Sequence, residues 1–179
     1  MPQAITHFLI PAILVALFRD FHLSKNNKRN FPLHYVLIAG LGGLLVDSDY
    51  LLYYVFKAFN FSFPSHRIFF HNLIFVLIFF ILGFIFMKTN FKEFGKHKLK
   101  ISTILFIISF TGLIHLLLDW FFIGEVLFFY PILDLNFGLN ILKKLPEYMQ
   151  SSITGIIDAV LLIFWMTYLE IKHKISDYI

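Results

Sequence analysis

The sequence contains no cysteine among its 179 residues, and only 15% of those residues are charged. Without cysteine, neither a disulfide framework nor a thiolate metal site can form, so a metal ion would need imidazole, carboxylate, amide or water ligands. The scarcity of charge excludes an ordinary water-soluble fold, because 59% of the residues are hydrophobic and a chain of this length could not bury them all. The composition therefore predicts an integral membrane protein.

The first apolar stretch has no basic segment before it and no small-residue cleavage site after it, which excludes a cleaved signal peptide and favours a membrane helix. Four further stretches are long enough to be considered as membrane spans. No internal repeat is evident. We predict one all-α domain, residues 1–179, forming a bundle of about five transmembrane helices at residues 4–18, 33–56, 68–87, 101–123 and 153–169.

Basic residues are scarce in the second and fourth connections between these stretches. Eleven of the 15 Lys and Arg residues lie in the first connection, the third connection and the C-terminal tail. Because Lys and Arg collect on the cytoplasmic side, the amino terminus is predicted outside and the carboxyl terminus in the cytoplasm. The short spans and positive-inside connections suit a prokaryotic cytoplasmic (inner) membrane. This topology explains the net charge of +4, so we expect membrane lipid and no nucleic acid as a partner.

Ionisable side chains inside apolar spans cost several kcal/mol unless they are paired, so they are candidates for function. On the predicted topology all of them lie towards the outer face, within roughly 10 Å of that boundary. One shared site is the economical interpretation, and its imidazole and carboxylate groups suit zinc, manganese or iron. The candidate metal ligands are His7, Asp47, Asp49, His66, His71, His115 and Asp119, and Arg67 stands beside them at the mouth of the third span.

The spacing within each pair of these residues indicates whether both side chains can reach one ion. His115 and Asp119 are four residues apart, which places both side chains on one helical face and allows them to chelate one ion. Asp47 and Asp49 are two apart and would point to nearly opposite faces, so either the span is distorted there or only one of them is a ligand. His66 likewise diverges from the histidine five residues later unless it lies in the loop before the helix.

Structural roles are the alternative for each residue taken alone. A single His or Asp in a membrane helix joins helices by hydrogen bonds about as often as it serves a function, and the convergence of the set favours a site. Arg67 either snorkels to the interface or contacts a substrate. Gly40, Gly42 and Gly43 of the second span favour close helix packing over ligand contacts.

Several motifs carry a resemblance to a known family. They are TH at residues 6–7, VDSDY at 46–50, HRIFFH at 66–71, and GLIHLLLDW followed by GEVLFFYP. Together these motifs resemble the YdjM-like family of inner-membrane proteins, for which metal-dependent hydrolysis is proposed, and whose motifs read TH, PDxDH, HRGxTHS and HxxxD. The resemblance covers roughly residues 5 to 131. The sequence departs from the family pattern at Val46, Tyr50, Ile68, Phe70 and Asn72. These positions bear on the surroundings of the ligands.

The family is itself similar to the zinc-dependent phospholipase C and single-strand nuclease superfamily, whose helical sites use His and Asp ligands for phosphoester hydrolysis. By this resemblance, Asp47 or Asp49 and one histidine of the third-span motif, His66 or His71, would join the HxxxD pair around a first ion. The aspartate of that HxxxD pair would then bridge to a second ion near the amino-terminal histidine.

The leading hypothesis is an enzyme, a membrane-embedded metal-dependent hydrolase acting at the outer face on a phosphoester of a lipid or lipid-linked substrate. Zinc is the expected cofactor and manganese the alternative. An aspartate outside the ligand set, Asp47 or Asp49, would orient water or take its proton, and Arg67 would pair with a phosphate oxygen. The rival hypotheses are a metal-ion or proton transporter that uses the same cluster and a structural scaffold. Apolar inner halves of the spans favour a one-sided site over transport.

Overall fold

The chain was examined as a computed structural model, which describes residues 4–23, 31–61, 70–88, 99–122, 124, 126–136 and 138–174. Within these ranges the fold is all-helical, as predicted, and no strand is among the elements. A π-helical turn, Phe18–His22, continues the first helix, and a 3-10 turn, Leu142–Lys144, precedes the last. The helices are α1 (Ala4–Leu17), α2 (His34–Leu45), α3 (Ser48–Ala58), α4 (Leu73–Lys88), α5 (Ile101–Phe122) and α6 (Glu147–His173).

Three helical segments of the described chain are long and apolar enough to cross a membrane: Ala4–His22, Ile101–Phe122 and Glu147–His173. The pair α2 and α3 makes a fourth candidate if it forms one span, although it is bent by 49°. Helix α4 is apolar but has only 16 residues. The helices support a membrane protein, and the five-span count stays a prediction.

The helices differ from the predicted spans at three places. The second span is two helices and not one continuous helix, because the chain turns at Val46 and Asp47. Helix α4 begins at Leu73, so His71 lies in the bend before the helix and not inside it. The last helix starts at Glu147, six residues before the predicted span.

Close helix crossings hold the bundle together. Helix α2 packs between α1 and α5, and α4 packs on the other side of α5. A Cβ atom on Gly43 of α2 would lie 2.1 Å from the carbonyl oxygen of His7 in α1, so only glycine fits at this crossing. Small side chains such as Ala12, Ala16 and Ala39 fill the interface between α1 and α2. The site end of the bundle is the end where α1 and α4 begin and where α2 and α5 finish.

The turn between α2 and α3 redirects the chain at the site end. The Asp47 backbone N–H donates to the Leu44 carbonyl at 3.1 Å, and the Tyr50 N–H donates to the Asp47 carbonyl at 3.0 Å. These three-residue hydrogen bonds tighten the chain into a 3-10-like bend. Beyond the bend, α3 leaves the bundle, and Asp49 is its one buried residue. The bend therefore directs the aspartates towards the bundle while the rest of α3 is exposed.

Candidate metal centre

Four ligand-type atoms from three parts of the chain converge at the site end. His71 comes from the bend before α4, His115 and Asp119 come from α5, and Asp47 comes from the bend between α2 and α3. The α5 residues lie one turn apart on a single helical face, as the sequence predicts. The site is thus assembled by contacts between helices, and His115 and Asp119 are its one pair of residues that are close in sequence.

Five of the six separations among these four atoms are close to those of a tetrahedral metal site. The His71 Nε2 atom lies 3.3 Å from Asp47 Oδ1, 3.5 Å from Asp119 Oδ2 and 3.3 Å from His115 Nε2. The His115 Nε2 atom lies 3.6 Å from each of the same two carboxylate oxygens. Four ligands placed about 2.1 Å from a zinc ion define a tetrahedron with edges of about 3.4 Å. Five of its six edges are therefore present at the required length.

Hydrogen bonds at the Nδ1 atoms of the two histidines determine which ring nitrogens carry protons. The Nδ1 atom of His115 lies 2.7 Å from the Gly43 carbonyl oxygen, which can only accept, so this nitrogen must donate. The Nδ1 atom of His71 lies 3.2 Å from Asp49 Oδ2, a carboxylate oxygen that also accepts. In the neutral rings, both Nε2 atoms then present lone pairs to each other and to two carboxylates. This arrangement of electron-pair donors could hold a metal ion between them.

His7 extends the cluster on the α1 side. Its Nε2 atom lies 3.4 Å from Asp119 Oδ1, the oxygen that does not face His71 and His115. Its ring stacks on the ring of His115, with centroids 4.0 Å apart. Two overlapping triads of the described residues have ligand atoms close enough for one ion: His7, Asp47 and His115, and His71, His115 and Asp119. Asp119 thus uses one oxygen on each side.

Access to the cluster is one-sided. The side chains of His7, His71, His115 and Asp119 are at most 5% exposed, whereas that of Asp47 is 34% exposed. Asp47 also lies in the bend at the end of the bundle rather than within a helix. A molecule that reaches the cluster from outside would therefore meet Asp47 first.

Six of the predicted site residues come together, and the structure separates the roles of two of them. Asp47 faces the donor set, while Asp49 lies behind His71 and is 1% exposed. The sequence left open whether the span is distorted or only one aspartate is a ligand; the span is distorted, and Asp47 is the aspartate that faces the donor set. The other two predicted residues, His66 and Arg67, lie outside the described residues.

The sequence analysis missed Asp158 of α6, which is 2% exposed. The Thr6 hydroxyl donates to Asp158 Oδ1, and Asp158 Oδ2 has no hydrogen-bond partner within the described part of the chain. This contact joins α6 to α1 one residue away from His7. Asp158 interrupts an apolar stretch, so the rule that singled out the other intramembrane aspartates would have found it.

A second buried carboxylate, also missed, lies at the opposite end of α1. Asp20 accepts hydrogen bonds from the Tyr168 hydroxyl at 2.7 Å and from His173 Nε2 at 2.9 Å, and it pairs with Arg19 at 2.6 Å. Tyr168 and His173 belong to α6, so this cluster holds the far end of that helix against α1. Asp20 follows the apolar stretch directly, and this position resembles an ordinary span end in the sequence.

Comparison with known protein families supports a membrane protein. No curated protein and no solved structure is significantly similar to the chain. A match to a family described as "YdjM inner membrane protein" spans residues 1–175, nearly the whole chain. The chain therefore belongs to the YdjM inner membrane protein family.

Proposed function

We propose that the protein is a membrane-embedded metal-dependent hydrolase with one divalent ion bound by His71, His115, Asp47 and Asp119. The observation that carries the proposal is the set of five separations of 3.3 to 3.6 Å among these four donors. Two carboxylates and two neutral imidazoles carry a charge of −2, which a divalent ion would balance in the low dielectric of the membrane. Tetrahedral spacing favours zinc over manganese, which prefers octahedral oxygen ligands.

A bound divalent ion would supply Lewis acidity and lower the pKa of a coordinated water molecule towards neutrality. The protein's own contribution is positioning. Asp49 and the Gly43 carbonyl hold the rings of His71 and His115 with their Nε2 atoms turned inward. Asp47 is the donor that solvent and substrate can reach. With Asp47 released from the ion, the other three donors would leave one position open for water, and the Asp47 carboxylate would orient that water and accept its proton.

The proposed substrate is a phosphoester of a lipid or a lipid-linked molecule. The cluster lies near one end of the bundle, where a membrane lipid presents its head group by lateral diffusion. With the predicted five-span topology in the cytoplasmic (inner) membrane and an outside amino terminus, this end faces outward. Arg67 remains the predicted partner of a phosphate oxygen.

A metal-ion or proton transporter is the alternative that uses the same residues. A transport pathway needs ligands near the middle of the membrane with access from both sides. Here the ligands gather at one end, and Asp47 is the accessible member. The geometry favours catalysis at a one-sided site.

The first test is metal analysis of the protein purified without chelators, beside the His115→Ala, Asp119→Ala double variant. A matched control, His22→Ala with Asp134→Ala, removes the same residue types from exposed positions. We expect about one equivalent of zinc in the wild type and the control, and loss of zinc from the site variant.

Release of a phosphorylated head group from lipid vesicles by the zinc-loaded protein would then support hydrolysis. Zinc or proton flux across proteoliposomes without head-group release would favour the transporter. A wild type that binds no metal under gentle purification would refute the proposed site.

A further inference from the structure

A second feature of the site end is an apolar groove at the start of α4. It encloses about 270 Å³ between α4 and the segment that follows α5. On the α4 side the groove is lined by Ile74, Phe75 and Ile78, and on the other side by Tyr130. Asn72 and Phe70 line its upper end, which is the end at the start of α4.

The groove begins one residue from a metal-site histidine. Asn72 follows His71 directly and is 5% exposed, and its Oδ1 atom accepts the Phe75 backbone N–H at 3.1 Å. The opposite wall is tied to the same point, because the Leu73 N–H donates to the Phe128 carbonyl at 2.9 Å. The upper end of the groove and the imidazole of His71 are therefore held together by the start of α4.

The direction of the groove matches that of an acyl chain. Helix α4 leads away from the site end towards Lys88 at the other end of the bundle. At ~1.5 Å per residue, Ile78 lies about 8 Å further into the bundle than Leu73. An acyl chain of a lipid in the leaflet at the site end runs the same way, from a head group at the interface towards the bilayer centre.

We propose that this groove binds one acyl chain of a membrane lipid and so places the ester linkage of that lipid at the metal cluster. The proposal rests on the proposed function and assigns the lipid part of the substrate. An acyl chain that enters the groove leaves a bilayer interior that is equally apolar, so the hydrophobic effect gives little driving force for binding. The groove therefore contributes van der Waals contacts and holds the chain in position.

The test uses vesicles of phosphatidylglycerol that contain a tracer phospholipid with a photoreactive diazirine in its acyl chain. After illumination, mass spectrometry measures how much label each helix carries. We expect labelling concentrated on Ile74, Ile78 and Tyr130. The variant Ile74→Trp fills the groove and should reduce this labelling roughly threefold to fivefold, the change that corresponds to packing energies within membranes.

The matched control is Leu77→Trp, which adds the same ring to the same helix at a position that is 52% exposed and does not line the groove. It should leave the labelling unchanged. Equal labelling of all exposed helix faces, or equal loss in both variants, would overturn the groove assignment. Circular dichroism checks that each variant is folded.

The same preparations separate the two proposals. If labelling concentrates in the groove but no lipid is hydrolysed, the groove binds lipid and the hydrolase proposal fails. If lipid is hydrolysed and labelling is uniform, the hydrolase proposal survives and the groove assignment fails.

Discussion

The closest helix crossing in the site lies at Gly43, and adding one methyl group there should damage both stability and metal binding. In Gly43→Ala the new Cβ atom would lie 2.1 Å from the His7 carbonyl oxygen and 2.9 Å from Pro11 Cγ. A carbon and a carbonyl oxygen normally approach to about 3.3 Å. Helices α1 and α2 would therefore have to separate by roughly 1.2 Å, since backbone atoms cannot turn aside as a side chain can.

Such a shift is large compared with the tolerance of a metal site, in which ligand distances hold within about 0.2 Å. The Gly43 carbonyl also orients His115, so the displacement reaches a ligand directly. We expect Gly43→Ala to destabilise the fold by about 1–3 kcal/mol, the usual cost of overpacking. It should also lose most of its bound zinc at concentrations that saturate the wild type.

Two further glycines calibrate the effect. In Gly40→Ala the new Cβ would lie 2.6 Å from the ring of Phe8, a side chain that can rotate away, so a smaller loss is expected. In Gly155→Ala the new Cβ meets no atom within 4 Å, and this variant should be stabilised by up to about 1 kcal/mol through helix propensity. Thermal unfolding in detergent and zinc content measure the series. A Gly43→Ala protein that keeps wild-type stability and zinc would refute the close crossing.

Three further predictions address the residues around the cluster and along α6. Asp49→Ala should weaken zinc affinity about 10–100-fold while one ion still binds at saturation, because in the proposed site Asp49 orients a ligand and is not one itself. A titration in which the variant loses the binding site altogether would show that Asp49 is a ligand. Asp158→Asn should retain the hydrogen bond from Thr6, whereas Asp158→Leu should lose it. Unfolding of these variants and of Thr6→Val, combined in a double-mutant cycle, should give a coupling energy of roughly 0.6–1.7 kcal/mol. Additive losses of stability would mean that the two side chains do not interact. Tyr168→Phe removes a hydroxyl donor from the buried carboxylate of Asp20, and it should lower stability by about 1–2 kcal/mol without changing zinc content. A loss of zinc from this variant would show that the two ends of the bundle are coupled.

The sequence predicted those parts of the site that depend on local spacing or on membrane energetics. The pair His115 and Asp119 follows from a four-residue spacing, which any helix converts into a shared face. The set of buried ionisable residues follows from the cost of charge in a membrane. Neither inference needs knowledge of how the helices are arranged, so both could be made from one sequence.

The remaining parts depend on contacts between helices and were not predictable in this way. The Gly43 carbonyl acts as an acceptor for a metal-site histidine, yet the side-chain sequence carries no sign of a backbone acceptor. The apolar groove depends on how the segment after α5 folds back on α4. The Asp20 cluster joins residues about 150 positions apart, which no local pattern reveals.

The bend between α2 and α3 is where the fold determines the chemistry. On a regular helix, Asp47 and Asp49 would point about 200° apart, and they could not both face the same histidine. At the bend they reach the two nitrogens of the His71 ring, with Asp47 Oδ1 3.3 Å from Nε2 and Asp49 Oδ2 3.2 Å from Nδ1. The two aspartates are therefore not interchangeable. One shares the proposed ion with the histidine, and the other holds the histidine in the tautomer that can bind it.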